Sequence, residues 1–95
     1  MLKLFTLTSG KEVIGDCISE SNDTWTIKYP LYLHIIQQAA DTYGLGLYPY
    51  SPSNPEGKHV FKLNLIQSES LEIPNDLNES YIRETTGISI VSSLR

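Results

Sequence analysis

Thr24-Trp25-Thr26-Ile27-Lys28-Tyr29-Pro30-Leu31-Tyr32-Leu33-His34-Ile35 decides the fold. Its odd positions read Trp, Ile, Tyr, Leu, Leu, Ile, and its even positions read Thr, Thr, Lys, Pro, Tyr, His. A period of two, carried by β-branched and aromatic side chains, is the pattern of a strand with one buried face. Pro30 lies on the polar register and has no N–H for a ladder, so a bulge, bend or edge is expected there. A strand this long and so interrupted should curve strongly, as strands in small barrels do.

Working outward, Leu2–Thr8 is a short apolar-rich run and Val13-Ile14-Gly15-Asp16-Cys17-Ile18 a second strand, joined by the turn Ser9-Gly10-Lys11-Glu12. Glycine makes a positive φ cheap in the turn, whereas Gly15 inside a strand marks a bend, a bulge or a close backbone approach. Ser21-Asn22-Asp23 is turn chemistry again. Beyond the long strand, polar Gln37–Thr42 leads to Tyr43-Gly44-Leu45-Gly46-Leu47-Tyr48-Pro49-Tyr50, and Ser51–Gly57, with two prolines and a glycine, is a loop. Lys58–Ile66 alternates as one more strand, and Ser70–Ile73 is short and extended. One helix is expected after Pro74: Asp76 and Glu79 have capping-box spacing, Leu77 and Tyr81 share a face, and Gly87 ends it. Ile88–Val91 forms an apolar tail free to pair or dock. The pattern predicts an all-β domain of about five strands, a strongly bent small barrel, with one C-terminal helix; 1–74 would be the barrel, 75–95 the helix and tail of the same domain.

The chain has 95 residues, 7 basic and 11 acidic, a net charge of −4. At this length one domain is expected, burying only about 60–65% of its unfolded surface, so association would help it. Residues 1–68 carry five Lys against six acids, and residues 69–84 carry Glu69, Glu72, Asp76, Glu79 and Glu84 against Arg83. So few cations do not suit whole-surface binding to duplex DNA, which needs many phosphate contacts; a local nucleic-acid site is compatible. The N-terminal residues are too polar for a signal-peptide core and no run of about 18 apolar residues occurs, so no membrane association is expected and a cytoplasmic location is.

Catalytic chemistry has little to draw on. His34, His59 and Cys17 are the only imidazoles and thiol, without the spacing of a metal site or of a Cys–His pair. Cys17 reads as a small buried apolar residue. Gly44-Leu45-Gly46 lacks the rest of a phosphate-binding loop. No enzyme activity, metal or cofactor is expected. Single-strand binding draws on aromatic faces, side-chain amides and a few cations, and Trp25, Asn22, Asn64, Gln67, Lys58 and Lys62 supply those types.

Leu7-Thr8-Ser9-Gly10-Lys11-Glu12-Val13-Ile14-Gly15, followed by Asp23 and Trp25-Thr26-Ile27, resembles the first signature motif of Sm and LSm proteins. Tyr29-Pro30-Leu31, Gly46-Leu47-Tyr48-Pro49-Tyr50 and Thr86-Gly87-Ile88 extend the likeness to short Sm-like proteins of tailed phages, particularly marine ones. The resemblance implies a bent five-stranded barrel whose edge strands pair with neighbouring copies into a cyclic homo-oligomer. It also implies RNA or single-stranded DNA held near the pore, with a role in nucleic-acid processing in the cytoplasm, of an infected bacterium if the gene is a phage's. Carried over by position, the binding residues are Asn22, Asp23, Thr24, Trp25, Lys62, Asn64 and Gln67, with Lys58 adding local charge. Thr26 stands where the family has Asn, Lys62-Leu63-Asn64 replaces its basic-Gly pair, and the helix is C-terminal. Those departures, with the acidic segment and apolar tail, define the alternative: a structural or adaptor ring binding protein partners in phage assembly or host takeover.

Overall fold

The computed structural model of the protein describes residues 1–94, with side chains described through Thr86. In chain order the elements are β1 (Leu2–Leu7), β2 (Glu12–Glu20), β3 (Thr24–Ala39), β4 (Thr42–Pro49), β5 (Lys58–Lys62), β6 (Ile66–Ser70) and α1 (Asn75–Leu94). All strand pairs are antiparallel, in the order β4-β3-β2-β1-β6, with β5 also on β3. The class is therefore mostly antiparallel β with one C-terminal helix, as the alternation predicts.

The count is six strands rather than five, because Lys58–Ile66 is not one strand. β5 pairs with β3 (Thr24↔Lys62) whereas Ile66 pairs with Leu7 of β1. One straight strand cannot serve both neighbours, and Leu63–Leu65 makes the change of partner as a 3-10 turn. β3 also outruns its expected end: Gln37–Ala39 stay extended against Thr42 and Tyr43, so β3 and β4 form a long hairpin turning at Ala40 and Asp41.

The odd register of β3 does not face one way throughout. Between Asp16↔Lys28 and Ile14↔Leu31, Gly15 opposes both Tyr29 and Pro30. Two residues against one is a β-bulge, and Tyr29 enters it at φ 55°. Side chains consequently change face. Ile27 and Trp25 join Phe5, Leu7, Val13, Cys17 and Phe61 in one cluster, whereas Leu31, Leu33 and Tyr29 join Leu4 and Ile14 in a second, under the helix. Beyond Leu33 the odd register leaves the core altogether, and Ile35 is 67% exposed. Gly15 and Pro30 thus mark a bulge, as their residue types predict.

The helix covers the second cluster through Leu77 and Tyr81, four residues apart and both buried. Its first backbone bond runs from the Asn78 N–H to the Pro74 carbonyl, 3.0 Å. Asp76 therefore lies within the first turn, where its charge suits the helix dipole, rather than at the cap. The helix does not stop at Gly87 but runs to Leu94; glycine within a helix costs about 1 kcal/mol relative to Ala, which does not by itself end one. The expected apolar tail Ile88–Val91 belongs to this helix, and its side chains lie outside the described residues. Among the described residues no helix is long and apolar enough to cross a membrane.

The Tyr81 hydroxyl donates to the carbonyls of Lys28 (3.2 Å) and Tyr29 (3.0 Å), tying the helix to the bulge. Burial raises the pKa of this phenol well above its ordinary 10.0. Lys3 is also raised: burial acts to lower it, but the hydrogen bonds its ammonium donates to Glu69 and Glu20, with their negative charge, outweigh that.

Gly15→Ala puts a Cβ into Ile27 Cγ2 and 3.3 Å from Pro30 Cα; overpacking of this kind costs about 1–3 kcal/mol, a Tm loss of roughly 4–24 °C in a domain of this size. An unchanged melting curve would contradict the close approach. Since both raised groups bind their protons more tightly when folded, their stabilisation is complete below about pH 10 and disappears as pH rises through the raised values. Chemical denaturation should show stability falling above pH 10, with a shallower fall in Tyr81→Phe, whose stability at neutral pH drops by about 1–3 kcal/mol because two carbonyls lose their donor.

Candidate functional site

The β2–β3 turn and the 3-10 turn meet at one end of the sheet. Ser21 organises the first: its N–H donates to the Thr24 carbonyl (2.9 Å), and its hydroxyl oxygen accepts the Thr24 N–H (3.1 Å) and lies 2.8 Å from the Thr24 hydroxyl. The same hydroxyl is 3.1 Å from Asp23 Oδ1. Asn22 and Asp23 project from this locked turn. The second turn is fastened to the first by the Leu63 N–H, which donates to the Asp23 carbonyl at 2.9 Å, and by the Thr24↔Lys62 strand pair.

Between the turns opens a cavity of about 470 Å³ lined by Asn22, Asp23, Thr24, Lys62, Leu63 and Asn64. Five of the eight residues nominated from the sequence therefore share one site, although some 40 positions separate the two groups. Its donor set is mixed. Two carboxamides offer both donors and acceptors, as base-edge recognition requires; Lys62 supplies a cation for a phosphate; Leu63 supplies an apolar wall; the Asp23 carboxylate accepts from exocyclic amines and repels phosphate. Asn64 stands in the 3-10 turn, not in a strand.

The other three nominees lie elsewhere. Lys58 sits at the far end of β5, opposite Lys28, about 13 Å from Lys62 at the rise of an extended strand. Gln67 is exposed on β6, beyond the 3-10 turn. Trp25 belongs to the core cluster: Phe5 meets it edge-on at a centroid distance of 5.4 Å, and Lys3 Nζ stands over its ring at 4.4 Å. Trp25 is thus partly buried, with a buried lysine held over its ring and Phe5 packed against it, and it does not line the cavity.

Lys3 is one residue that the sequence did not single out. It is 6% exposed, with Nζ 3.2 Å from Glu20 Oε1 and 3.0 Å from Glu69 Oε2. The alternation of β1 placed Lys3 beside Phe5 and Leu7 on the inner register, which was its one visible signal. Leu63 was missed too, because a continuous strand gave no reason to single it out. Cys17 is buried, with Sγ 3.5 Å from the Ser19 carbonyl, and burial pushes its thiol pKa up; a thiol so placed is a poor nucleophile. His34 and His59 stand on different strands, and among the described residues no three His, Cys, Asp or Glu side chains gather as metal ligands would.

No protein-family model matches the chain, and no curated protein matches it significantly.

Proposed function

We propose that this chain is an Sm-like small barrel that assembles into a homo-oligomeric ring and binds RNA or single-stranded DNA. The observation that carries the binding reading is the convergence of Asn22, Asp23, Thr24, Lys62 and Asn64 on one open cavity between two fastened turns. Carboxamides next to a lysine and an apolar wall suit a base with its phosphate, and no acid of the 69–84 segment lines that cavity. The barrel reading draws on the strand path: β5 rests on β3, β6 rests on β1, and one three-residue turn connects them around the Phe5–Ile27 cluster.

Ring assembly draws on the ends of that path. β4 and β6 terminate the pairing order, and unpaired edges invite strand addition. Head-to-tail pairing of one copy's β4 edge with another's β6 closes into a cyclic assembly when the rotation allows. The second reading, an adaptor ring for a protein partner, is favoured by the hairpin arm, where Ile35, Tyr43 and Leu45 are each more than 60% exposed.

Fluorescence anisotropy of short U-rich and A-rich RNAs and matching DNA separates the two. The binding reading expects saturable association, weakened roughly 10-fold or more by Lys62→Ala and by Asn64→Ala, the scale of losing a charged or a bidentate contact. Light scattering should show the same assembly for both variants. Unchanged affinity in an intact assembly overturns the pocket as the site, and absence of binding at low salt transfers the case to the protein-binding ring.

A further inference from the structure

On the face of the β3–β4 hairpin continuous with the Phe5–Ile27 cluster, aromatic rings follow one another outward from the core. His34 meets Tyr48 edge-on (centroids 5.9 Å apart), and Tyr48 meets Tyr32 at 5.7 Å. Lys11, from the β1–β2 turn, holds Nζ 4.5 Å above the Tyr32 ring and 5.8 Å above that of Tyr50. Tyr50 in turn meets His59 at 6.2 Å. The arrangement is built into the hairpin: Tyr32 and Tyr48 are directly paired, and His34 faces Gly46. A Cβ at Gly46 would stand 3.0 Å from Tyr48 Cε2, so the missing side chain leaves the ring room to lie across toward His34.

The strip has a consistent charge. Lys11 is exposed, and among the described residues it forms no ion pair with a carboxylate. At its inner end the strip reaches a second cavity of about 440 Å³, where Tyr50, His59 and Phe61 meet Lys62 and the hydroxyls of Thr8 and Ser9; no described lining residue is acidic. Lys62 also lines the Asn22–Asn64 cavity, so strip, second cavity and proposed site form one track. In a chain of net charge −4, a strip of π-faces and cations that meets a carboxylate only at Asp23, in the pocket at its end, is complementary to a polyanion that carries bases.

We infer that this strip, His34, Tyr48, Tyr32, Lys11, Tyr50 and His59, is a stacking surface for single-stranded nucleic acid that extends the proposed pocket. The inference rests on the nucleic-acid reading above and adds the path and the length of the ligand. Bases stack on the tyrosine rings without sequence preference, since every base offers a π-face. Lys11, held only by weak cation–π contact at an exposed position, turns from the rings to a phosphate as the bases arrive. The pocket then reads one or two nucleotides and the strip holds the strand that leaves it.

The test compares oligonucleotides of about 4 and about 12 nucleotides, spanning the range of small-barrel site sizes, with wild type, Lys11→Gln, Tyr48→Leu and Lys62→Ala. Lys11 and Tyr48 are both exposed, and Tyr48→Leu keeps an apolar side chain on the hairpin, so these variants retain the fold; melting curves verify this. The inference expects the longer strand to bind at least 10-fold tighter to wild type. It expects Lys11→Gln and Tyr48→Leu each to weaken the longer strand about 10-fold while leaving the shorter unchanged, with Lys11→Gln lowering the salt slope by about 0.7. If both lengths bind alike and only Lys62→Ala weakens them, the strip is overturned and the pocket stands. If the strip variants weaken binding and Lys62→Ala does not, the pocket reading falls and the strip stands. Failure of wild type to bind either length overturns both and gives the aromatic surface to a protein partner.

Discussion

The fold depends on how one β-bulge is held. Tyr29 at φ 55° occupies a conformation that costs an L-residue about 1–2 kcal/mol, and Pro30 contributes no N–H to a ladder. Three separate segments satisfy the groups the bulge frees: the Tyr29 N–H donates to the Gly57 carbonyl (3.2 Å), the Pro30 carbonyl accepts the Tyr50 N–H (2.9 Å), and the Tyr29 carbonyl accepts the Tyr81 hydroxyl. Gly15 leaves the space opposite. Because the bulge changes which way side chains point, the odd positions of β3 line the Phe5–Ile27 cluster before it and the helix-covered cluster after it, while Tyr32 beyond the bulge returns to the first. A straight β3 would bury one layer and expose the other. The proline-rich loop, the start of the segment after β4, and the helix thus act as braces of one kink.

The opposite end of the inner cluster is closed by a charge. Lys3 gives up hydration to lie against Trp25, and its ammonium is compensated by Glu20 and Glu69 from two neighbouring strands. Removing one partner of a buried pair leaves an uncompensated charge, and that asymmetry, more than the net strength of the pair, fixes the arrangement. The carboxylates come from β2 and β6, the strands flanking β1, so the lysine also registers three strands. Its consequence for the surface is subtractive: it covers one side of the Trp25 ring and hides one of the chain's few cations.

Much of this was legible in local chemistry. Gly15 and Pro30 announced an irregularity, the alternation from Trp25 announced the long strand, and Leu77 with Tyr81 announced the helix face. What stayed hidden were properties that belong to pairs of distant segments. Nothing local in Lys58–Ile66 says that Lys62 must pair with Thr24 while Ile66 pairs with Leu7, so the 3-10 turn was invisible, and Lys58 was grouped with Lys62 although they occupy opposite ends of a strand. Lys3 lay on the inner register, but its burial becomes understandable only once Glu20 and Glu69 are known to flank it. Tyr32, Tyr48 and Tyr50 could be seen as aromatics, and not as a strip, because the bulge that sends Tyr32 to the same face as Phe61 cannot be counted from the sequence.

The distribution of charge follows from the same topology. Of the acids in residues 69–84, Glu69 turns inward to Lys3, Glu72 lines a recess near Leu4 and Glu12, and Asp76, Glu79 and Glu84 ride on the helix. The helix covers the Leu4–Ile14 cluster, whereas Lys11 lies over rings that border the other one. A sheet sided in this way separates an acidic helical layer from a surface whose cations are Lys11 and Lys62. Fields between exposed charges fade over roughly 10 Å at moderate salt, so a charge placed at the turns responds to Lys62 and Asp23 there more than to the net charge of the chain. The acids of the helix are thereby kept on the side of the sheet away from Lys11, and the bulge at Tyr29, by giving β3 two faces to fill, creates that side.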